Sequence, residues 1–478
     1  MSHALERAGD HTDVLKADHG TRPAVVCSVP RHGDVSDRQA TGRARTIAQR
    51  CVESRPAPHA QARRALPQIS GRPLVSQAHA PAADAPPPLL AIVFLSLAAG
   101  ASAMGMRIND ALLPQLSQLF GTPLATTAQV VSLYALAYGA TQVLWGPVGD
   151  RFGKYRVVGW AVLGCELASL ACALAGDFDQ LRAARVLSGM LAAAIIPLSI
   201  AWLGDVIPYE QRQPVLARFL IGQIMGLASG VWLGGVAADH LGWRVPYAVL
   251  TALYAVVGVQ LMIGQRRLAS TAHTAPAPVR RTAADIREVL RTRWAQTLLA
   301  IVFLEGACLF GPLAFVATHL HLRLDVSLTV AGSLLMVFGL GGFVYALAAR
   351  RLVRGLGEVG LARAGAVCVS AGLGCTAAAP SWVFGVLGSL LAGLGFYMMH
   401  NTLQVNATQM VPRARGASVS MFAACFFLGQ ATGVTLTGWL AASIGTGRAI
   451  GIGGAVLLGI GLAFGQALSR RKAQRPSN

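Results

Sequence analysis

Three ionisable side chains stand inside apolar stretches that offer them no obvious partner. Glu305 is the charged residue in the run Leu298 to Cys308, Asp110 closes another run in Arg107-Ile-Asn-Asp110-Ala-Leu-Leu-Pro114, and Arg185 opens a third that reaches Leu203. A charge in hydrocarbon is costly unless it meets a partner or a water-filled cavity, so such residues mark ion or substrate pathways. A carboxyl group in apolar surroundings favours its neutral form and can bind a proton reversibly. Glu305, at mid-depth of its segment, is read as a proton carrier or substrate contact, with a structural hydrogen bond to a neighbouring helix as the alternative. Asp110 and Arg185 lie toward one face, where a carboxylate–guanidinium pair is geometrically feasible. Such a pair either trades a proton for a ligand when the arginine is drawn away, or is a static surface ion pair. Glu166 is as deep as Glu305 and is expected to pack against a polar neighbour.

The elements that must hold these groups are apolar segments close to the roughly 20 residues a helix needs to cross a hydrocarbon core. They run over 89–106, 127–145, 157–175, 183–203, 215–237 and 246–264, then 295–316, 326–348, 361–379, 382–403, 417–441 and 449–468. Hydrophobic residues make up 54% of the chain and charged ones 13%, against roughly 25% charged in soluble domains. The fold class expected is an all-α integral membrane protein with twelve transmembrane helices in two pseudo-symmetric six-helix bundles. The domains are a disordered basic tail 1–88, a first bundle 89–264, a cytoplasmic connector 265–294, a second bundle 295–469 and a cytoplasmic tail 470–478. No apolar core follows the first basic residues, so no secretory signal is expected, and the acids of the tail argue against a transit peptide.

The net charge of +19 invites a nucleic-acid reading. The excess arginine sits in short loops between spans and not on one folded face, so it is read as topology and attraction to anionic lipid. One set of loops holds Arg212 and Arg218, Arg266 to Arg281, Arg350 to Arg354, Arg413 and Arg415, and Arg470 to Lys472, while the alternate loops carry few basic residues. The alternation places both termini in the cytoplasm.

The densest charged link is Gly146-Pro147-Val148-Gly149-Asp150-Arg151-Phe152-Gly153-Lys154-Tyr155-Arg156, between spans 2 and 3. Arg151, Lys154 and Arg156 resist translocation, and Gly149 and Gly153 permit bends that a Cβ would oppose. Its pattern resembles the cytoplasmic loop motif of the major facilitator superfamily, matched by Gly146, Asp150, Arg151, Gly153, Lys154 and Arg156. The resemblance implies that these residues form a conformational gate, an ion-pair network reaching the second half near the start of span 11. In the second half, the corresponding link Arg350 to Gly360 has Arg354 where Asp150 stands, counting back from Gly357. A further echo, Phe219-Leu-Ile-Gly222-Gln223-Ile-Met-Gly226 and Phe426-Phe-Leu-Gly429-Gln430-Ala-Thr-Gly433, links spans 5 and 11.

The resemblance also implies a central cavity lined by spans 1, 4, 7 and 10. Asp110 with Pro114 looks like the Asp-x-x-x-Pro feature of proton-driven exporters, and Arg185 with Gly189 like the family's proton-coupling arginine of span 4. Tyr397 to Asn406, with Pro412 and Arg415-Gly416 beyond, resembles the arabinose-efflux-type permeases. Asn401 and Gln404 there either contact a hydroxylated substrate or bind helices together, and His400 reads as structural. The glycines of span 5 resemble the antiporter signature, with Val231 where that signature has Pro.

The eight cysteines show no metal spacing and read as small packing residues, no phosphate-binding loop occurs, and no catalytic signature suggests an enzyme. No cofactor or metal is expected. The function implied is proton-coupled export of a small organic solute, sugar or drug-like, by a monomer in the bacterial inner membrane. Its partners are a small-molecule substrate, protons and the lipid bilayer, with no nucleic acid. The rivals are a proton-coupled uptake symporter of the same fold and a non-transporting sensor or scaffold.

Overall fold

A computed structural model describes residues 89–207, 209–268 and 279–474. The expected tail 1–88, the middle of the connector and the last four residues lie outside the described residues. In hydrocarbon every backbone N–H and C=O must be paired internally, and the apolar segments accordingly become helices. They are α1 Leu89–Arg107, α2 Leu113–Phe120, α3 Leu124–Thr127, α4 Gln129–Phe152, α5 Lys154–Leu174, α6 Phe178–Val206, α7 Tyr209–Val236 and α8 Val245–Leu268. After the connector helix α9 Val279–Arg291 come α10 Arg293–Glu305, α11 Gly311–Leu324, α12 Leu328–Ala378, α13 Trp382–Ala407, α14 Arg415–Ile444 and α15 Thr446–Ala473. Short π-helical turns, Ala237–Leu241 and Gly306–Phe310, follow α7 and join α10 to α11.

Among the described residues, 10 helices are long and apolar enough to span a membrane, or 11 if the bent pair Leu113–Phe120 and Leu124–Phe152 is one span. The expected segments all fall on helices. Two of them, 326–348 and 361–379, share the 51-residue α12, which is two helices joined at Gly357 (φ 62°, ψ −178°). Residues on either side of that kink, Gly341 and Gly365, both pack against α13, so the chain doubles back there. The count of twelve rests on dividing α12 at this point. Gly153, the first-half counterpart of Gly357, also has a positive φ of 90°, which costs glycine little and any residue with a Cβ more. The two links thus turn by the same means although Arg354 has replaced the aspartate.

Among the described residues two large apolar cores form, one built mainly from α1 to α8 and the other mainly from α9 to α15. Inside each, the repeated glycine segment does the same job. Gly222, Gly226 and Gly230 of α7 lie against Ser96, Gly100 and Met104 of α1, and Gly234 against Ile108 just beyond it, the two helices running parallel. Gly429 and Gly433 of α14 lie likewise against Phe303 and Ala307, at the end of α10 and in its π-turn. A Cβ on Gly226 or Gly433 would overlap a backbone carbonyl oxygen of the facing helix. Small residues on such faces let helices approach to backbone contact, the main source of attraction in lipid.

The halves touch from mid-depth to the face opposite the basic loops. Gly139 of α4 meets Ala424 and Leu428 of α14, and Gly438 meets Ala125. Tyr138 and Phe427 have ring centroids 3.9 Å apart. At the far end Asp239, in the π-turn after α7, accepts backbone N–H bonds from Leu328 at 3.2 Å and Thr329 at 2.6 Å, capping α12 across the divide. A carboxylate there also meets the positive end of the α12 dipole. The contact acts as a latch, and losing it should open this face. With a cysteine at Val231, 2% exposed, in a background free of native cysteines, D239A is expected to raise labelling by an impermeant maleimide about tenfold, with D239N intermediate. An unchanged rate would show that the latch is decorative.

Candidate functional site

Glu305 ends α10, where the helix passes into its π-turn. Such turns carry an extra residue and leave backbone groups poorly paired, and they recur at functional sites. The side chain is 1% exposed. Its Oε2 lies 2.8 Å from Nδ1 of His400 on α13, and Oε1 has no hydrogen-bond partner among the described residues. His400 is 18% exposed, so the pair reaches open space through the imidazole. Phe396, Phe422 and Phe426 surround that ring at 4.8, 5.4 and 4.9 Å between centroids. The arrangement can hold a proton between a carboxyl and an imidazole, screened by aromatic walls. H400A should cost about 1–3 kcal/mol, because it leaves a buried carboxyl with no partner. H400Q restores a donor and should recover part of the loss in melting temperature.

The second cluster forms where α1 ends. Asn109 and Asp110 lie in the turn between α1 and α2, and Pro114 starts α2 without needing a donor for its nitrogen. Asp110 is fully buried and its salt bridge runs to Arg107, Nη2 to Oδ2 at 2.8 Å. Arg185 is held elsewhere, its Nε donating to the Val130 carbonyl and its Nη1 to that of Gly105, both at 2.9 Å. The cause is local, because the last carbonyls of a helix lack intrahelical donors and Gly105 is among them. Arg185 therefore ties α1 to α4 and stacks over Tyr134 at 4.1 Å. It borders a cavity of about 10 Å³ lined also by Ser169 and Ser188, room for one water. Tyr247 donates to Asn109 Oδ1 at 2.5 Å and fixes the turn.

The loop motif keeps its charges within the first half. Lys154 Nζ lies 2.5 Å from Asp205 Oδ2 at the end of α6 and 3.6 Å from Asp150. Arg151 and Arg156 stack on Phe152 and Trp160, and Gly146 faces open space. Among the described residues no ion pair joins this motif to α14 in this conformation. Asn401 donates to Tyr345 Oη at 3.1 Å, tying α13 to α12, and Gln404 is exposed. Glu166 is half-buried on α5, and Cys165 and Cys172 are buried in the first core.

Two pairings were not drawn from the sequence, in which His400 reads as structural. The Arg107–Asp110 spacing of three at a helix end was visible as a pair of neighbours on one face. The Glu305–His400 bond joins residues 95 apart, and its one local signal was a titratable ring in an apolar segment.

The chain is 23% identical over 303 residues to the uncharacterised MFS-type transporter YwfA of Bacillus subtilis, covering 63% of this chain and 73% of that one. It is 28% identical over 167 residues to the multidrug export protein EmrB of Escherichia coli, 34% of this chain and 33% of that one. Its fold matches a bacterial homologue of the human lysosomal transporter Spinster, solved in an inward-facing and unoccupied conformation. The TM-score there is 0.61 at 17% identity, covering 81% of this chain and 98% of that one. The Major Facilitator Superfamily model matches residues 95–422, and the chain belongs to that family of membrane transporters.

Proposed function

We propose that the protein is a proton-coupled secondary active transporter that exports a small organic solute, sugar or drug-like, by alternating access. The observation that carries the reading is Glu305, buried to 1% exposure with one carboxylate oxygen on His400 and the other unpartnered. A group so placed has two stable states, ionised on His400 or carrying a proton, and a solute that binds at the pair favours the ionised state and expels the proton. Asp110 is a second proton site, governed by Arg107, with Arg185 fixing the turn that carries it. Export is supported by the likeness to EmrB, a multidrug export protein.

Residues 89–264 and 295–469 form the two rocking halves, joined by 265–294. The basic loops face the cytoplasm of a bacterial inner membrane with both termini, and the transporter works as a monomer. Gly146, Asp150, Arg151, Gly153, Lys154 and Arg156 act as the cytoplasmic gate. The contacts between halves lie on the opposite face, which corresponds to an inward-facing state with that gate released. Asn401 and Gln404, with Glu305, are the proposed substrate contacts.

The test uses purified protein against a panel of sugars and lipophilic drugs, scored by rise in melting temperature, since a ligand that prefers the folded form must raise it. A compound so found is then supplied to everted and right-side-out vesicles with an imposed pH gradient. Gradient-driven accumulation only in everted vesicles is expected. Accumulation only in right-side-out vesicles would establish uptake, and none in either would favour a sensor.

A further inference from the structure

Asp110–Arg107 and Glu305–His400 belong to different halves, yet one residue touches the surroundings of both. Phe310 is the last residue of the π-turn that begins immediately after Glu305. Its ring lies 5.1 Å below the Arg107 guanidinium carbon. Arg107 is 1% exposed, and among the described residues its Nε and Nη1 have no hydrogen-bond partner. Apart from Asp110, the aromatic face is what compensates that buried cation. Phe310 also meets Phe396 and Phe426 edge-on at 5.2 and 5.3 Å, and these are two of the rings that pack on His400.

We infer that Phe310 is a positioning residue that holds Arg107 against Asp110 and couples that pair to Glu305–His400. Two connections run through it. The backbone route is the π-turn, whose loose hydrogen bonding lets a change at Glu305 alter the pitch of the next five residues. The side-chain route is the set of edge-to-face rings, an arrangement with a preferred geometry that transmits a shift of one ring to the next. A cation over a ring face is attracted through the quadrupole, which an aliphatic side chain of equal bulk lacks. When the halves part on this face, Arg107 loses the ring and Asp110 alone must compensate it, so opening and the ionisation of Asp110 are linked. The inference goes beyond the proposed function, since it concerns coupling between two ion pairs whatever ion or solute is carried.

The test is a double-mutant cycle read by melting temperature on purified full-length protein, which needs no substrate and so stands apart from the transport assay. D110N, E305Q and the double variant are compared in the native background and with F310L, F310M or F310Y. The double variant's shift is expected to differ from the sum of the singles by at least about 2 °C in the native and F310Y backgrounds, and by less than about 1 °C with F310L. F310M, whose flexible unbranched side chain adapts to irregular gaps, takes the place of F310L if the latter fails to fold. Additivity in the native background, or coupling that survives in F310L or F310M, would overturn the inference.

Discussion

Replacing Glu305 with glutamine is expected to abolish gradient-driven accumulation of the transported compound while leaving its exchange across the membrane intact. The magnitude follows from the coupling itself. One pH unit corresponds to 1.36 kcal/mol for each proton moved, so one proton exchanged per solute supports about a tenfold concentration ratio. The glutamine keeps the size and the bond to His400 but has no proton to trade. The ratio in E305Q should therefore fall from about ten to about one. Counterflow, in which labelled solute enters in exchange for unlabelled solute, needs only the rocking of the halves and should persist. A tenfold ratio retained in E305Q would remove Glu305 from the coupling, and loss of counterflow as well would mean that solute contact requires the carboxylate or that the residue holds the fold.

The second large effect concerns stability. G226V and G433V place two methyl groups and a Cβ against the backbones of α1 and of the turn between α10 and α11, where the Cβ alone overlaps Gly100 or Ala307. Overpacking costs about 1–3 kcal/mol when side chains can move aside. A carbonyl oxygen of a paired helix cannot do so, and the cost should reach or exceed the upper end. Both variants should melt well below the native protein, and by similar amounts, because the two glycines hold equivalent places in the two halves. The control is G416V at the start of α14, where an added Cβ meets nothing within 4 Å, and its melting temperature should stay near the native value. A G226V protein as stable as G416V would mean that the two helices are not held at backbone contact.

Much of the fold was legible because membrane helices follow few rules. Length and apolarity located the helices, and the paired glycine segments of spans 5 and 11 pointed to a repeat that the packing of α7 on α1 and α14 on α10 bears out. The weakest boundary was between 326–348 and 361–379, where Arg350 to Gly360 remains helical up to the kink at Gly357. Polar residues there sit beyond the apolar stretch without ending the helix, since composition marks where hydrocarbon stops and not where backbone hydrogen bonds do. For the site, sequence located Glu305 and Asp110 because a buried acid is conspicuous in an apolar run. It did not locate their partners. His400 meets Glu305 across two helices, and Arg185 was drawn to the Gly105 carbonyl freed by the end of α1 and to that of Val130 instead of to Asp110. The Asp239 latch was equally hidden, because Asp239 reads as a loop charge beside Arg244 until α12 is placed opposite it.

Proton and solute are proposed to compete through Glu305, and proton release on ligand binding reports that competition. Purified protein in weakly buffered solution with a pH indicator is titrated with a compound that raises its melting temperature. Release of up to one proton per ligand bound is expected in the native protein, with a clear reduction in E305Q at equal occupancy. Binding without proton release, or release unchanged by E305Q, would contradict it.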